Sequence, residues 1–66
     1  MLIKLKGLVG ESGIVSELYG GYEITVLDTN VFPWQSVFNL LLDASYEVWI
    51  TRSLDKLVIL SKPPVE

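Results

Sequence analysis

The residues Tyr19-Gly20-Gly21-Tyr22 carry the strongest local signal for the fold of this chain. A two-residue β-hairpin loop of type I′ needs a positive φ at both central positions, and glycine adopts that conformation without steric cost. The residues that follow, 22–28, are rich in β-branched and aromatic side chains, which favour strands. The stretch therefore predicts a hairpin centred on Gly20 and Gly21, with residues 22–28 as its return strand.

Two segments upstream of the hairpin are also predicted to be strands. In residues 2–9, apolar side chains alternate with Lys4 and Lys6, and this period of two is typical of a half-buried strand. Residues 10–13 contain two glycines and read as a turn. The short apolar segment at 14–18 then leads into the hairpin.

A helix is predicted downstream of the hairpin. Its candidate N-caps are Asp28, Thr29 and Asn30, and Pro33 suits the first helical turn. The apolar residues that follow have the spacing of one helix face: Trp34, Val37, Phe38 and Leu41. Such a stripe either packs on a core or binds an apolar ligand or a membrane surface. Because the opposite face has no Lys or Arg, which an interfacial membrane helix normally carries, core packing is favoured.

Residues 46–52 and 57–61 are predicted to be the last two strands, joined by a polar turn at 53–56. The two prolines that follow cannot continue a sheet. The sequence thus predicts one α+β domain over 1–62 and a flexible tail over 63–66. Its order is β-β-β-α-β-β, which gives a five-stranded, mostly antiparallel sheet or a partly open barrel, with one helix between strands 3 and 4.

Composition limits how so small a domain is stabilised and where it acts. The 66 residues include no cysteine and no histidine, so disulfides and ordinary zinc sites are excluded and self-association is expected. The net charge of −3 argues against nucleic acid or anionic lipid as a partner. Lys4 and Lys6 interrupt the apolar run that a signal peptide needs, and no apolar run approaches the ~20 residues of a membrane span. We expect a cytoplasmic protein.

No catalytic or cofactor motif stands out in the sequence. Nucleophilic triads and histidine acid–base chemistry are excluded by composition. The stretch Gly10-Glu11-Ser12-Gly13 contains half of a nucleophile elbow, but Ile14 stands where the second flanking glycine belongs. The eight acidic residues are scattered instead of paired, and the loop around Asp28 lacks the ligand spacing of an EF-hand. We therefore predict a protein that is not an enzyme and holds no metal or cofactor.

The predicted sheet has a second face, away from the helix, and this face carries the candidate partner-binding residues. Its apolar members are Leu27, Trp49, Val58 and Leu60. Its predicted polar rim is Glu23, Thr25, Glu47 and Thr51. An apolar centre with an aromatic anchor and a polar rim is typical of a protein–protein interface, whereas a closed barrel would bury the same residues inside one chain.

Two functions follow from this face. The first is a noncatalytic interaction domain that self-associates through the face or an edge strand and binds another protein as an adaptor, inhibitor or assembly subunit. The alternative is an OB-like or SH3-like nucleic-acid-binding module, since the predicted order resembles that of many OB-folds. In that module the aromatic residues Tyr19, Tyr22 and Trp49 would stack on bases. The phosphate contacts would come from Lys4, Lys6, Arg52 and Lys56. Eight acidic residues against five basic ones favour the first function.

Overall fold

The computed structural model describes residues 1–18 and 20–64 of the chain. It has two helices, α1 (Leu2–Val9) and α2 (Trp34–Asp43), and a 3₁₀ turn at Gly10–Ser12. It has four strands, β1 (Gly13–Leu18), β2 (Gly21–Val26), β3 (Glu47–Ser53) and β4 (Lys56–Lys62). The α+β class is confirmed. The prediction of five strands in the order β-β-β-α-β-β is wrong, because the observed order is α-β-β-α-β-β.

The four strands form one antiparallel sheet in the order β1-β2-β4-β3. The central strands β2 and β4 pair with Ile24 opposite Ile59, and β3 pairs with β4 with Ile50 opposite the same Ile59. Among the described residues β1 and β3 are the two edges of an open sheet, so the alternative of a closed barrel does not apply.

Residues 2–9 form a helix, so the prediction of a strand there is wrong. Ile3, which the strand pattern would bury, is 86% exposed, whereas Leu5 and Val9 are buried. The latter two are four residues apart and therefore share one helix face. Leucine and lysine are also strong helix formers. An alternation over so few residues is too short to outweigh helical spacing and propensity together.

The predicted hairpin forms, but its loop is one residue earlier than expected. Leu18 pairs with Gly21, so the loop lies between these two residues. Gly20 has a positive φ of 81°, whereas Gly21 belongs to β2 and does not. Glycine is needed at 21 for a different reason, because a Cβ there would overlap the backbone carbonyl oxygen of Ser61 on β4. Tyr19 lies outside the described residues.

The predicted central helix is confirmed as α2, but its predicted N-caps are wrong. No side chain caps this helix, and Pro33 directly precedes it. Instead, Asp28 Oδ1 accepts a hydrogen bond from the backbone N–H of Asn30 at 3.0 Å, which makes the loop an Asx turn. Trp34 Nε1 donates to the carbonyl oxygen of Thr29 at 3.1 Å and ties the start of α2 to that loop.

Both helices pack on the same face of the sheet. The buried apolar cluster consists of Leu5, Val9, Ile24, Val26, Phe32, Val37, Leu41 and Ile59. Its sheet members, Ile24, Val26 and Ile59, point to one side, because Ile24 and Ile59 are opposite each other and side chains alternate along a strand. The other members come from α1, α2 and the loop before α2. The opposite side of the sheet therefore carries neither helix.

The last strand ends at Lys62. Pro63 and Pro64 belong to no helix or strand. The rest of the predicted tail, Val65 and Glu66, falls outside the described residues. In the described part of the chain, no helix is both long enough and apolar enough to cross a membrane.

Candidate functional site

The side of the sheet directed away from α1 and α2 is named the open face. Its members follow from the alternation of side chains along each strand and from the strand register. They are Ile14, Ser16 and Leu18 on β1, Glu23 and Thr25 on β2, Lys56, Val58, Leu60 and Lys62 on β4, and Glu47, Trp49, Thr51 and Ser53 on β3. The open face is thus a surface of mixed composition, with apolar residues on three of its four strands.

Trp49 and Leu60 are directly opposite each other on the open face. The Trp49 side chain is 45% exposed, and the Lys62 Nζ atom lies over its ring at 5.5 Å from the centroid. A cation over an indole face is attracted by the negative face of the ring. A pocket of about 260 Å³ adjoins this pair and is lined by Leu18, Tyr22, Trp49, Leu60, Ser61 and Lys62. The anchor predicted from the sequence is therefore an accessible aromatic surface.

The other two predicted contact residues differ in placement. Val58 is on the open face but only 8% exposed. Leu27 is 46% exposed and follows the last residue of β2, where its backbone N–H donates to the carbonyl oxygen of Ser12 at 2.8 Å. Leu27 is four positions after Glu23 in the sequence, a distance of about 13 Å along a strand. The structure thus groups Trp49, Leu60 and Val58 and leaves Leu27 at one end of the sheet.

Glu23 lies in the middle of the open face, so its predicted place in the rim is wrong. It is opposite Leu60 of β4 on one side and Ser16 of β1 on the other. Thr25 is on the same central strand, opposite Val58. Glu47 and Thr51, in contrast, lie on the edge strand β3, as a rim requires. The centre of the face is therefore half polar, because β2 pairs with β4 and brings its outward residues there.

A groove of about 450 Å³ crosses the open face. It is lined by Glu23, Thr25, Thr51, Arg52, Ser53, Leu54, Lys56, Val58 and Leu60. We name it the central groove. Glu23 and Leu60 lie at one end, and Arg52 and Lys56 lie at the other, beside the β3–β4 turn. The groove therefore has a negative and a positive end.

Two apolar residues of the open face were missed in the sequence prediction. Ile14 and Leu18, on the edge strand β1, are 54% and 40% exposed. Their spacing with Ser16 shows that all three share a face. It does not show which face, since that depends on the pairing of β1 with β2.

On the opposite side of the sheet, Tyr22 and Tyr46 stack with ring centroids 6.0 Å apart. Partial burial is the main cause that raises the pKa of Tyr22, and the neighbouring Tyr46 and Glu17 raise it further. Glu17 is opposite Tyr22 on β1. At neutral pH the Tyr22 phenol is consequently protonated. Within residues 1–18 and 20–64, no three acidic, histidine or cysteine side chains come together as metal ligands.

Comparisons of the chain with models of protein families, with curated proteins and with solved structures found no match.

Proposed function

We propose that the chain is a small noncatalytic protein-interaction domain. It self-associates through the open face and acts by binding another protein, as an adaptor, an inhibitor or an assembly subunit. The observation that carries the proposal is the pair Trp49 and Leu60, opposite each other on a face that neither helix covers. An accessible tryptophan beside an aliphatic residue is the type of group that anchors protein interfaces.

The open face is a better candidate for association than either sheet edge. On each edge strand a charged residue stands on the side that the helices occupy, Glu17 on β1 and Arg52 on β3. Charges placed in this way discourage the addition of a further strand, because the neighbouring chain would have to desolvate them. The open face instead offers the apolar side chains of Trp49, Leu60 and Ile14.

The size of the open face indicates what kind of partner can use it. The accessible surface of the chain is 4571 Å². That is about 400 Å² more than the roughly 4,200 Å² expected of a folded monomer of this mass. Four strands of six or seven residues give a face of about 19 by 22 Å, or roughly 400 Å² in projection. A stable interface buries about 800 Å² per partner, so the partner has to cover the entire face and also contact residues around it. A folded surface can do this, and a short peptide cannot.

Size-exclusion chromatography with light scattering tests self-association directly. We expect the chain to migrate as a dimer or larger oligomer at micromolar concentration, with a melting temperature that rises with protein concentration. A mass of 7.4 kDa together with a melting temperature independent of concentration would contradict the proposal.

The order of elements no longer supports the nucleic-acid alternative, because the observed α-β-β-α-β-β order is not that of the predicted barrel. The net charge of −3 also opposes it. We expect single-stranded DNA or RNA to bind no more tightly than about 10⁻⁴ M at physiological salt. Submicromolar binding that weakens steeply with salt would restore this alternative.

A further inference from the structure

We infer that the central groove is a homodimer contact in which Glu23 of each chain faces Lys56 of the other. The inference rests on the proposed function, since it specifies the partner and the register of association through the open face. It is carried by the opposite charges at the two ends of one groove.

The two charged ends of the central groove lie at equal distances from its middle. Glu23 is opposite Leu60 on β4, and Thr25 is opposite Val58, two residues further along. Two residues further again, β4 begins with Lys56. At about 3.3 Å per residue, Lys56 lies about 13 Å along the strand from the position opposite Glu23. The pair Thr25 and Val58 marks the midpoint.

A two-fold axis through this midpoint makes the groove complementary to itself. In an isologous contact, a residue at one position meets a second position of the partner, and the reverse contact forms as well. The axis lies in the plane of the contact, at right angles to the strands, and passes over the Thr25–Val58 pair. It exchanges the ends of the groove, so Glu23 meets Lys56 of the partner subunit twice per dimer. The Thr25–Val58 pairs of the two chains then lie near the axis.

Other placements of a second copy are less favourable. An axis through Glu23 itself would bring two carboxylates together on a surface that loses its water, which is costly. Lys62 is the other cation near Glu23, but its Nζ atom lies over the Trp49 ring on β3, on the far side of β4 from Glu23. Because Arg52 is on the helix side of β3, Lys56 is the cation of the open face that remains for the Glu23 of a second copy.

Charge reversal tests the pairing without exposing the core. Glu23→Lys and Lys56→Glu each create two like-charge contacts per dimer, and we expect each to weaken dimerisation roughly 100-fold. In an equimolar mixture of the two variants, both contacts between unlike chains are attractive. The mixture is expected to regain the dimer mass in light scattering, as a heterodimer. Circular dichroism identical to that of the parent shows that each variant folds.

Two matched variants control for net charge. Glu11→Lys makes the same charge change in the exposed 3₁₀ turn Gly10–Ser12, off the sheet, and Lys4→Glu makes the reverse change on the exposed side of α1. Both are expected to remain dimeric. The pairing is overturned if either groove variant stays dimeric, or if their mixture stays monomeric. A monomeric parent overturns the proposed function as well. A parent dimer that is disrupted by Leu60→Glu, but not by the groove variants, overturns the pairing alone.

Discussion

Leu60 and Ile59 are neighbours in β4 and lie on opposite faces of the sheet. Ile59 is fully buried in the core cluster, to which both helices contribute, whereas Leu60 lies across from Trp49 on the open face. One strand therefore supplies the centre of the core and the centre of the candidate interface. Adjacent residues of this strand are expected to respond differently to the same substitution.

The variants Leu60→Glu and Ile59→Glu form a matched pair that separates association from folding. Leu60→Glu places a charge on the open face, so we expect the far-UV circular dichroism of the parent and a lower mass in light scattering. Ile59→Glu places an unpaired charge in the core, and we expect loss of the folded state. Trp49→Arg should behave as Leu60→Glu does, because Trp49 is 45% exposed. Unfolding of both open-face variants would show that this face is part of the core.

Gly7 provides a test of helix α1. It lies within Leu2–Val9, and a Cβ at this position would have no neighbouring atom within 4 Å. Alanine in an exposed helix interior is more stable than glycine, so Gly7→Ala should raise the free energy of unfolding by about 0.5–1 kcal/mol. Gly13→Ala is the contrasting variant, since its Cβ would lie 2.6 Å from the Thr25 carbonyl oxygen. We expect that variant to be less stable than the parent in urea unfolding. A loss of stability in Gly7→Ala would argue against a helix at 2–9.

The two glycines of the hairpin are required for different reasons, and substitutions distinguish them. Gly20 has a positive φ of 81°, so Gly20→Val should cost about 1–3 kcal/mol. Gly20→Asn should recover most of that loss, since asparagine tolerates left-handed backbone. Gly21 is limited by contact with Ser61, so Gly21→Asn and Gly21→Val should both destabilise the protein. Thermal melts of the four variants check this pattern, which fails if asparagine rescues both positions equally.

The raised pKa of Tyr22 predicts a loss of stability at alkaline pH. Folding holds the phenol proton more tightly than the unfolded chain does, so this contribution is complete below the ordinary value of about 10. It decreases as the pH rises from there towards the higher folded pKa. Urea unfolding of the parent and of Tyr22→Phe, at neutral pH and above about pH 10, should show a smaller decline in the variant. Equal declines in the two proteins would contradict the shift.

Titration of tyrosinate absorbance gives a second readout for the same residue. Removing the Tyr46 hydroxyl in Tyr46→Phe takes away one of the contacts that raise the Tyr22 pKa. We therefore expect Tyr22 to ionise at lower pH in this variant than in the parent. Glu17→Gln should act in the same direction, because it removes a nearby carboxylate.

Much of the fold could be predicted from the sequence because its signals are local. The hairpin depends on a glycine at position 20, and α2 depends on the spacing of Trp34, Val37 and Leu41 within one segment. The last two strands likewise carry their own β-branched residues and a polar turn between them. In each case the backbone conformation and the apolar periodicity agree, so the segment specifies its own structure.

Residues 2–9 and the open face needed contacts that no single segment contains. The alternation around Lys4 fits a strand, whereas the packing of Leu5 and Val9 in the core favours the helix. The sequence predicts that Glu23 lies in the rim of the face. The pairing of β2 with β4 instead places Glu23 opposite Leu60 at the centre of the face. The sequence by itself thus determined the hairpin, α2 and the α+β class, through local propensity and periodicity. Only the tertiary structure decided the helix at 2–9 and the charged centre of the groove, because both depend on pairings between residues far apart in the chain.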